Sequence, residues 1–271
     1  MKLGVITSLN DNIEKNLAAV HEMGISTCQL KCWNSRFLCD EFAVRTKAAA
    51  LQYGIEITAF WCGWDGGMNI WNFYEGQLTL GLVPVQYRYE RTKMLIAGGE
   101  FAVKIGVTDV ITHVGFLPEN PMCNEYHEIV TTLRYIAKNY KAKGLWFLFE
   151  TGQETPVTLR RVIEDVGTEN LGINLDPANL LMYGKANAVD SLTVFGQYVR
   201  NVHAKDGEYP TNGRSLGVEK AVGNGSVNFP ALIKKLKEIG YDGPLTIERE
   251  ISGEKQIQDI IATKEFLSSL I

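Results

Sequence analysis

Short apolar runs alternate along this chain with longer segments in which apolar residues recur every three or four positions. A short run rich in branched or aromatic side chains is typical of a buried strand, and the wider spacing is typical of a helix with one buried face. The pattern predicts strands at 2–8, 27–32, 56–62, 109–115, 145–151, 171–176, 199–206 and 245–250. It predicts helices at 13–23, 40–53, 90–105, 124–143, 156–166, 187–195, 229–239 and 254–270.

The order of these elements predicts the fold class. Strict alternation of strands and helices indicates a parallel sheet with right-handed crossovers. Eight strand–helix pairs in 271 residues fit a closed (β/α)₈ TIM barrel, and an open doubly wound sheet is the alternative. The first strand is not followed by the Gly-x-Gly-x-x-Gly fingerprint of dinucleotide-binding folds. Because no linker interrupts the pattern, residues 1–271 are expected to form a single barrel domain.

Four predicted strands carry a metal-binding side chain at or near their carboxyl end. Glu150, Asp176, His203 and Glu248 belong to strands five, six, seven and eight. Strand ends in a barrel converge on one mouth, where active sites lie. Any one of these residues is more often a helix cap, an ion-pair partner or a rim residue. Together, three mutually repelling carboxylates and one imidazole predict a single divalent ion, Mn²⁺ first, with Mg²⁺, Co²⁺ or Zn²⁺ as alternatives.

The segment 63–89 interrupts the strand–helix rhythm with aromatic residues and glycines. A loop of this length in a compact domain is usually functional. We therefore expect it to cover the mouth of the barrel. The alternative is that its aromatic side chains only pack against the rim.

Composition narrows the classes of partner and compartment. The balance of 27 basic and 31 acidic residues gives a net charge of −4, which argues against nucleic acid. No apolar run is long enough for a membrane span or a secretion signal, so we expect a cytoplasmic protein without membrane contact. The five cysteines are odd in number and form no Cys-x-x-Cys pair, which is typical of reduced thiols.

Four motifs give the chain a family resemblance over nearly its whole length. They are FETGQE (149–154), NLDPANL (174–180), VHAKD (202–206) and the terminal segment VGNGSVNFPALIKKLKEIGYDGPLTIERE (222–250). In these motifs the chain resembles the xylose isomerase-like TIM-barrel superfamily. That group includes ketose 3-epimerases, sugar-phosphate isomerase/epimerase-like proteins, inosose dehydratase and endonuclease IV.

The resemblance implies roles for the strand-end residues. It implies that Glu150, Asp176, His203 and Glu248 bind the metal, and that Glu150 and Glu248 also exchange the substrate proton. The implied enzyme is a metal-dependent sugar isomerase or epimerase that abstracts a proton next to a carbonyl through an enediolate. Its partner would be a small keto-sugar or polyol, and a homo-oligomer is left open.

Other residues near the expected mouth are candidates for substrate contact. His113 would hydrogen-bond a hydroxyl, and Trp61 and Trp64 would stack on a sugar, with packing in the core or rim as the alternative. Lys205 would polarise an oxygen or form a rim ion pair. Asn179 stands where ketose 3-epimerases carry a histidine, so the specific 3-epimerase activity does not follow.

Two other functional classes remain open at this point. The same enediolate can expel a β-substituent, which would make the protein a lyase of the inosose dehydratase type or one that cleaves a 3-keto-glycoside. Alternatively, the barrel could bind a sugar without catalysis. Endonuclease IV needs a histidine-rich cluster of three metals, and only four histidines are present in this chain.

Overall fold

A computed structural model of the chain describes residues 1–66 and 68–271. Within these residues a closed barrel of parallel strands follows chain order, and the last strand pairs with the first. Its strands are β1 Lys2–Ser8, β2 Thr27–Cys32, β3 Glu56–Cys62, β4 Asp109–Thr112, β5 Trp146–Glu150, β6 Leu171–Leu175, β7 Val199–Ala204 and β8 Pro244–Ile247. The predicted (β/α)₈ TIM barrel is confirmed.

Helices lie between consecutive strands, and a last helix follows β8. They are α1 Ile13–Glu22, α2 Asp40–Tyr53, the single turn α3 Gly76–Thr79, α4 Val85–Ile105, α5 Asn124–Lys141, α6 Pro156–Val166, α7 Pro177–Met182, α8 Ala188–Phe195, α9 Phe229–Glu238 and α10 Glu254–Ser268. Two short strands, Asp206–Gly207 and Glu219–Lys220, pair antiparallel within the loop that follows β7. The predicted bounds of β1, β2, β3, α2 and α6 are confirmed.

The largest errors in the predicted bounds lie at the mouth of the barrel. The fourth, seventh and eighth strands end two or three residues earlier than predicted. After the fourth and seventh strands the chain leaves the sheet while its side chains stay buried, as Val114 does. Helix α4 begins at Val85 instead of residue 90, directly after Pro84. Helix α7 was not predicted, since all of its residues are buried and it lacks a polar face that would create a helical period.

The interior of the barrel is apolar at one level and polar at another. Ala59, Trp61, Ile111 and Leu148 form a small apolar cluster inside it. Fully buried amide and imidazole side chains also project inward, and Gln29 on β2 reaches His203 on β7. Because β2 and β7 are not neighbours in the sheet, this contact crosses the interior. The strands therefore supply polar groups directly beneath the mouth.

Arg91 on α4 fastens the segment between β3 and α4 to the barrel. We call residues 63–84 the covering segment; its Gly67 lies outside the described residues. The Arg91 guanidinium donates to the carbonyls of Gly81 at 2.5 Å and Thr79 at 2.7 Å. It also lies over the rings of Trp64, at 4.4 Å, and Tyr87, at 4.5 Å. Burial lowers the pKa of Arg91 to about 10.

Replacing this guanidinium tests how firmly the covering segment is held. We expect Arg91→Lys to lower the free energy of unfolding by about 2 kcal/mol, because an ammonium lacks the planar fork that serves two carbonyls and two rings at once. Denaturant titration measures the change. Arg36→Lys is the matched control, since Arg36 forms an exposed ion pair with Asp11, and such pairs contribute little. Equal stabilities for the two variants would contradict the expected role of Arg91.

Candidate metal centre

The four strand-end residues meet at the mouth of the barrel. Glu150 is the last residue of β5, Asp176 and Glu248 directly follow β6 and β8, and His203 lies within β7. One ligand atom from each residue lies within 4.8 Å of the others. Parallel strands of one barrel therefore bring together four side chains that are separated by up to 98 positions in sequence, from 150 to 248.

The Nδ1 atom of His203 is central to this cluster. It lies 3.0 Å from Glu248 Oε2, 3.2 Å from Glu150 Oε1 and 3.5 Å from Asp176 Oδ2. Among the described residues, His203 Nδ1, Asp176 Oδ2 and Glu248 Oε2 are buried without a hydrogen-bond partner. Buried polar atoms without partners are costly and call for an explanation. Three of them directed at one another, in a set of carboxylate oxygens and one imidazole nitrogen, fit a divalent cation.

The protonation of the cluster reflects burial opposed by close charges. Burial works to raise the pKa of Glu248, but Lys205 and His203 hold it well below its usual range. Burial also works to raise the pKa of Glu150, but His113 and His203 lower it below its ordinary value. Burial also disfavours a charged His203, yet Glu150 and Glu248 raise its pKa well above its usual range. Both glutamates are therefore ionised at neutral pH.

Neighbouring groups fix the orientation of two ligands. Asp176 caps α7, because its Oδ1 accepts from the Asn179 N–H at 2.8 Å while Oδ2 faces the cluster. Glu150 accepts from the indole of Trp61 through Oε2 and from Asn179 Nδ2, at 3.3 Å, through Oε1. His113 Nε2 lies 3.5 Å from Glu150 Oε2. Asn179, in the first turn of α7, thus donates to both carboxylates.

A buried lysine offsets part of the negative charge of the carboxylates. The Lys205 ammonium lies 3.1 Å from Glu250, 3.5 Å from Glu248 and 3.6 Å from Asp176, and it donates to Asn179 Oδ1 at 3.2 Å. Burial opposes its charge, but these carboxylates raise its pKa well above the usual range. Lys205 directly follows β7 and stands two positions after His203, a spacing that favours the same face, and its ammonium lies beside the cluster.

A cavity of about 360 Å³ opens above the cluster, a volume in the range of small-molecule sites. Its aromatic wall includes Trp33, Trp61 and Trp71, and its polar lining includes Lys31, His113, Glu150, Asn179, Glu248 and Glu250. Ile6, Met182, Tyr183 and Leu216 complete the lining. Two of the four ligands thus face the space that a substrate would occupy.

Five of the nine sequence-predicted site residues line this cavity, namely Trp61, His113, Glu150, Asn179 and Glu248. Asp176, His203 and Lys205 lie in or beside the cluster beneath it, and Trp64 reaches neither. That indole is buried beneath the lining, donates to Asn69 Oδ1 at 2.6 Å and contacts Trp33 edge-on at 5.3 Å between ring centroids. It supports the aromatic wall from behind. Trp71 belongs to the covering segment and packs on His113 at 5.0 Å, so this part of the segment does lie over the site.

Sequence reasoning missed several cavity residues. Trp33 directly follows β2, so the rule that strand ends line the mouth identifies it. Glu250 stands two positions after Glu248, at a spacing that favours the same face. Leu216 comes from the long loop after β7, where no local pattern marks it.

Comparison with known proteins places the chain among barrels of one family. The family described as xylose isomerase-like TIM barrel matches residues 17–270. The chain is 31% identical over 184 residues to an uncharacterized protein from Methanocaldococcus jannaschii, a match that covers 64% of this chain and 59% of that protein. The chain thus spans about three fifths of the length of that curated relative.

Two solved structures have closely similar architecture. A xylose isomerase domain protein from Planctomyces limnophilus is 34% identical, with a TM-score of 0.94 over 99% of this chain and 96% of the other. D-Psicose 3-epimerase from Clostridium cellulolyticum H10, crystallised with D-tagatose, is 17% identical, with a TM-score of 0.73 over 100% and 99% of the two chains. The second comparison shows similarity of fold alone.

Within the described residues, the helices are too short or too polar to span a membrane.

Proposed function

Because the chain belongs to the xylose isomerase-like TIM barrel family, we propose that it is a divalent-metal-dependent isomerase or epimerase of a keto-sugar or polyol. One observation carries this proposal. Three buried polar atoms without hydrogen-bond partners, on Asp176, His203 and Glu248, are directed at one another beneath a cavity of about 360 Å³. Mn²⁺ is our first choice of ion, since oxygen ligands predominate and one nitrogen is present.

Glu150, Asp176, His203 and Glu248 would hold the ion. A divalent cation supplies stabilisation for the negative charge that develops when a proton leaves the carbon next to a carbonyl. Glu150 and Glu248 are proposed as the proton-transfer groups, because both line the cavity and both are ionised. In an isomerisation, one ionised carboxylate accepts the substrate proton and returns it, as the resulting acid, to the neighbouring atom of the enediolate. In an epimerisation, the other carboxylate takes up a proton from solvent and delivers it to the opposite face, while the first releases its proton to solvent.

The remaining polar residues are proposed to orient the substrate. His113 and Asn179 line the cavity beside Glu150, where they can hydrogen-bond hydroxyl groups. Lys205 lies behind them and is proposed to keep Glu248 ionised, in addition to any contact with a substrate oxygen. Trp61, with Trp33 and Trp71, offers aromatic faces to the apolar side of a sugar ring.

The proposed substrate class rests on the name of one structural relative and on residues of this chain that narrow it. The Clostridium cellulolyticum protein is named as a D-psicose 3-epimerase, which supports a ketose as the substrate. Asn179, which stands where ketose 3-epimerases carry a histidine, contacts both Glu150 and Lys205 and so lies next to the proposed proton-transfer group. We therefore propose that the substrate is a ketose or a related keto-sugar. The part of the sugar that contacts the Asn179 amide is proposed to differ from the corresponding part of the 3-epimerase substrates.

Solvent deuterium exchange tests the proposed reaction. The protein is incubated with Mn²⁺ and a panel of keto-sugars in D₂O, and the products are analysed by mass spectrometry and NMR. We expect deuterium at the carbon next to the carbonyl in at least one sugar, and we expect exchange to stop when a chelator removes the ion and to return when Mn²⁺ is restored.

The products distinguish the competing reactions. An isomer or epimer keeps the mass of the substrate apart from deuterium, whereas a product lighter by one water would assign the protein to the lyases. Absence of exchange across the whole panel, with the ion bound, would contradict proton abstraction and favour a barrel that only binds sugars.

A further inference from the structure

We infer that Gln29 is a positioning residue that presents the Nδ1 atom of His203 to the metal; this rests on the proposed metal site. The Gln29 Oε1 atom lies 2.7 Å from His203 Nε2, on the far side of the ring from the three carboxylates. Both side chains are fully buried. Gln29 is remote in sequence from every proposed ligand, and the strand-end pattern does not identify it.

The chemistry of imidazole explains how this contact would favour metal binding through Nδ1 of His203. A neutral imidazole has one N–H and one lone pair, so a histidine that binds a cation through Nδ1 must carry its hydrogen on Nε2. The carbonyl oxygen of Gln29 accepts that hydrogen. Partners of this kind set the tautomer and ring orientation of metal ligands, and their removal typically weakens metal binding about 10–100-fold.

A second amide near the same nitrogen does not have this role. Asn174 Nδ2 lies 3.0 Å from His203 Nε2, and an amide N–H can serve only a ring nitrogen with a free lone pair. That arrangement would put the hydrogen on Nδ1 and block cation binding. The contact with Gln29 is shorter, and Gln29 Nε2 is 3.4 Å from Asn174 Oδ1, which holds the glutamine amide with its oxygen toward the ring.

Gln29 reaches the imidazole from a strand that does not pair with the strand of His203. His203 projects inward from β7, and Gln29 approaches it across the interior from β2, which does not pair with β7. The imidazole is thus held between the carboxylates at the mouth and an amide below them. Removal of the amide oxygen leaves the Nε2 hydrogen without an acceptor in a closed interior.

Metal affinity, instead of turnover, is the appropriate test. The dissociation constant of Mn²⁺ is measured by electron paramagnetic resonance, which counts free ion, for the full-length wild-type protein and for Gln29→Met, Gln29→Leu and Gln29→Glu. Two apolar variants are made so that the comparison stands if one of them does not fold. We expect both to weaken Mn²⁺ binding about tenfold or more, and Gln29→Glu, which keeps an acceptor oxygen, to stay within about threefold of wild type.

Asn201→Leu provides the matched control for a barrel-interior defect. Asn201 is buried on the same strand as His203, and its amide donates to Asp109 Oδ2 at 3.0 Å, away from the metal cluster. The Asn201→Leu variant should be less stable than the wild type but should bind Mn²⁺ with the same affinity. The inference is overturned if Gln29→Met and Gln29→Leu bind as tightly as wild type, if Gln29→Glu is as weak as they are, or if Asn201→Leu is equally weakened. Failure of the wild-type protein to bind Mn²⁺, Co²⁺ or Zn²⁺ would instead reject the metal site itself.

Discussion

Glu248→Gln is expected to slow deuterium exchange into a keto-sugar by about 10²–10⁴-fold at saturating Mn²⁺, the usual contribution of a positioned acid or base. The amide has nearly the same shape as the carboxylate, but it cannot accept a proton. Glu248 is also the carboxylate whose pKa burial would raise and whose neighbours, Lys205 and His203, instead hold low. The substitution removes a base that these two positive groups keep ionised. Because Glu248 is also a candidate ligand, the Mn²⁺ affinity should fall as well.

A neighbouring carboxylate separates this effect from a general change of charge. Glu250 lines the same cavity and contacts Lys205 at 3.1 Å, but it lies outside the cluster of candidate ligands. Glu250→Gln should therefore keep its Mn²⁺ affinity and most of its exchange rate. Exchange rates for Glu248→Gln within a few-fold of wild type, with metal bound, would exclude Glu248 as a proton-transfer group. Equal losses in both variants would point to the electrostatic environment of Lys205 instead.

Glu154→Gln is expected to stabilise the protein, relative to wild type, by an amount that grows as the pH rises from 4.5 to about 8. Glu154 is buried, its Oε1 atom has no partner among the described residues, and burial raises its pKa from 4.5 to about 8. Below pH 4.5 the carboxyl is protonated in both the folded and the unfolded chain and contributes no pH dependence. Between pH 4.5 and about 8 only the unfolded chain ionises, so the free energy of unfolding falls with rising pH by roughly 5 kcal/mol in total.

The variant should remove this slope, because glutamine resembles the protonated acid and does not titrate. Denaturant titrations of the wild type and Glu154→Gln at several pH values between about 5 and 8 measure the difference, which should grow as the pH rises. Glu125→Gln on the exposed surface of α5 is the matched control and should follow the wild type. Parallel curves for the wild type and Glu154→Gln would mean that Glu154 ionises in the folded protein at its ordinary pKa.

The candidate metal centre could be predicted because barrel geometry turns a local pattern into a spatial one. A polar residue at the end of an apolar run is visible in the sequence, and parallel strands carry all such residues to one mouth. Glu150 and His203 were identified in this way without knowledge of their contacts. The bounds of α2 and α6 were predicted to the residue for a similarly local reason, since Gly54 directly follows α2 and Pro156 begins α6.

Other features depend on contacts that no short-range pattern encodes. Gln29 stands within a strand of apolar and polar residues, and only the closure of the barrel brings it to His203. Trp64 and Trp71 both belong to the covering segment. Trp64 is buried against the Arg91 guanidinium, whereas Trp71 packs on His113 at the cavity. Helix α7 is buried on all sides, so its sequence lacks the amphipathic period by which helices are recognised.

Asp176 connects ion binding with the order of one wall of the cavity. Its Oδ1 atom caps α7 and its Oδ2 atom faces the cluster, while Met182 and Tyr183, at the end of that helix, line the cavity. An ion that restrains this carboxylate would therefore also restrain a helix of fewer than two turns, so that the entropic cost of ordering this wall would be met before a sugar binds. Metal and substrate would then bind with positive cooperativity even where they do not touch, and the side-chain length of aspartate is what allows one residue to serve both.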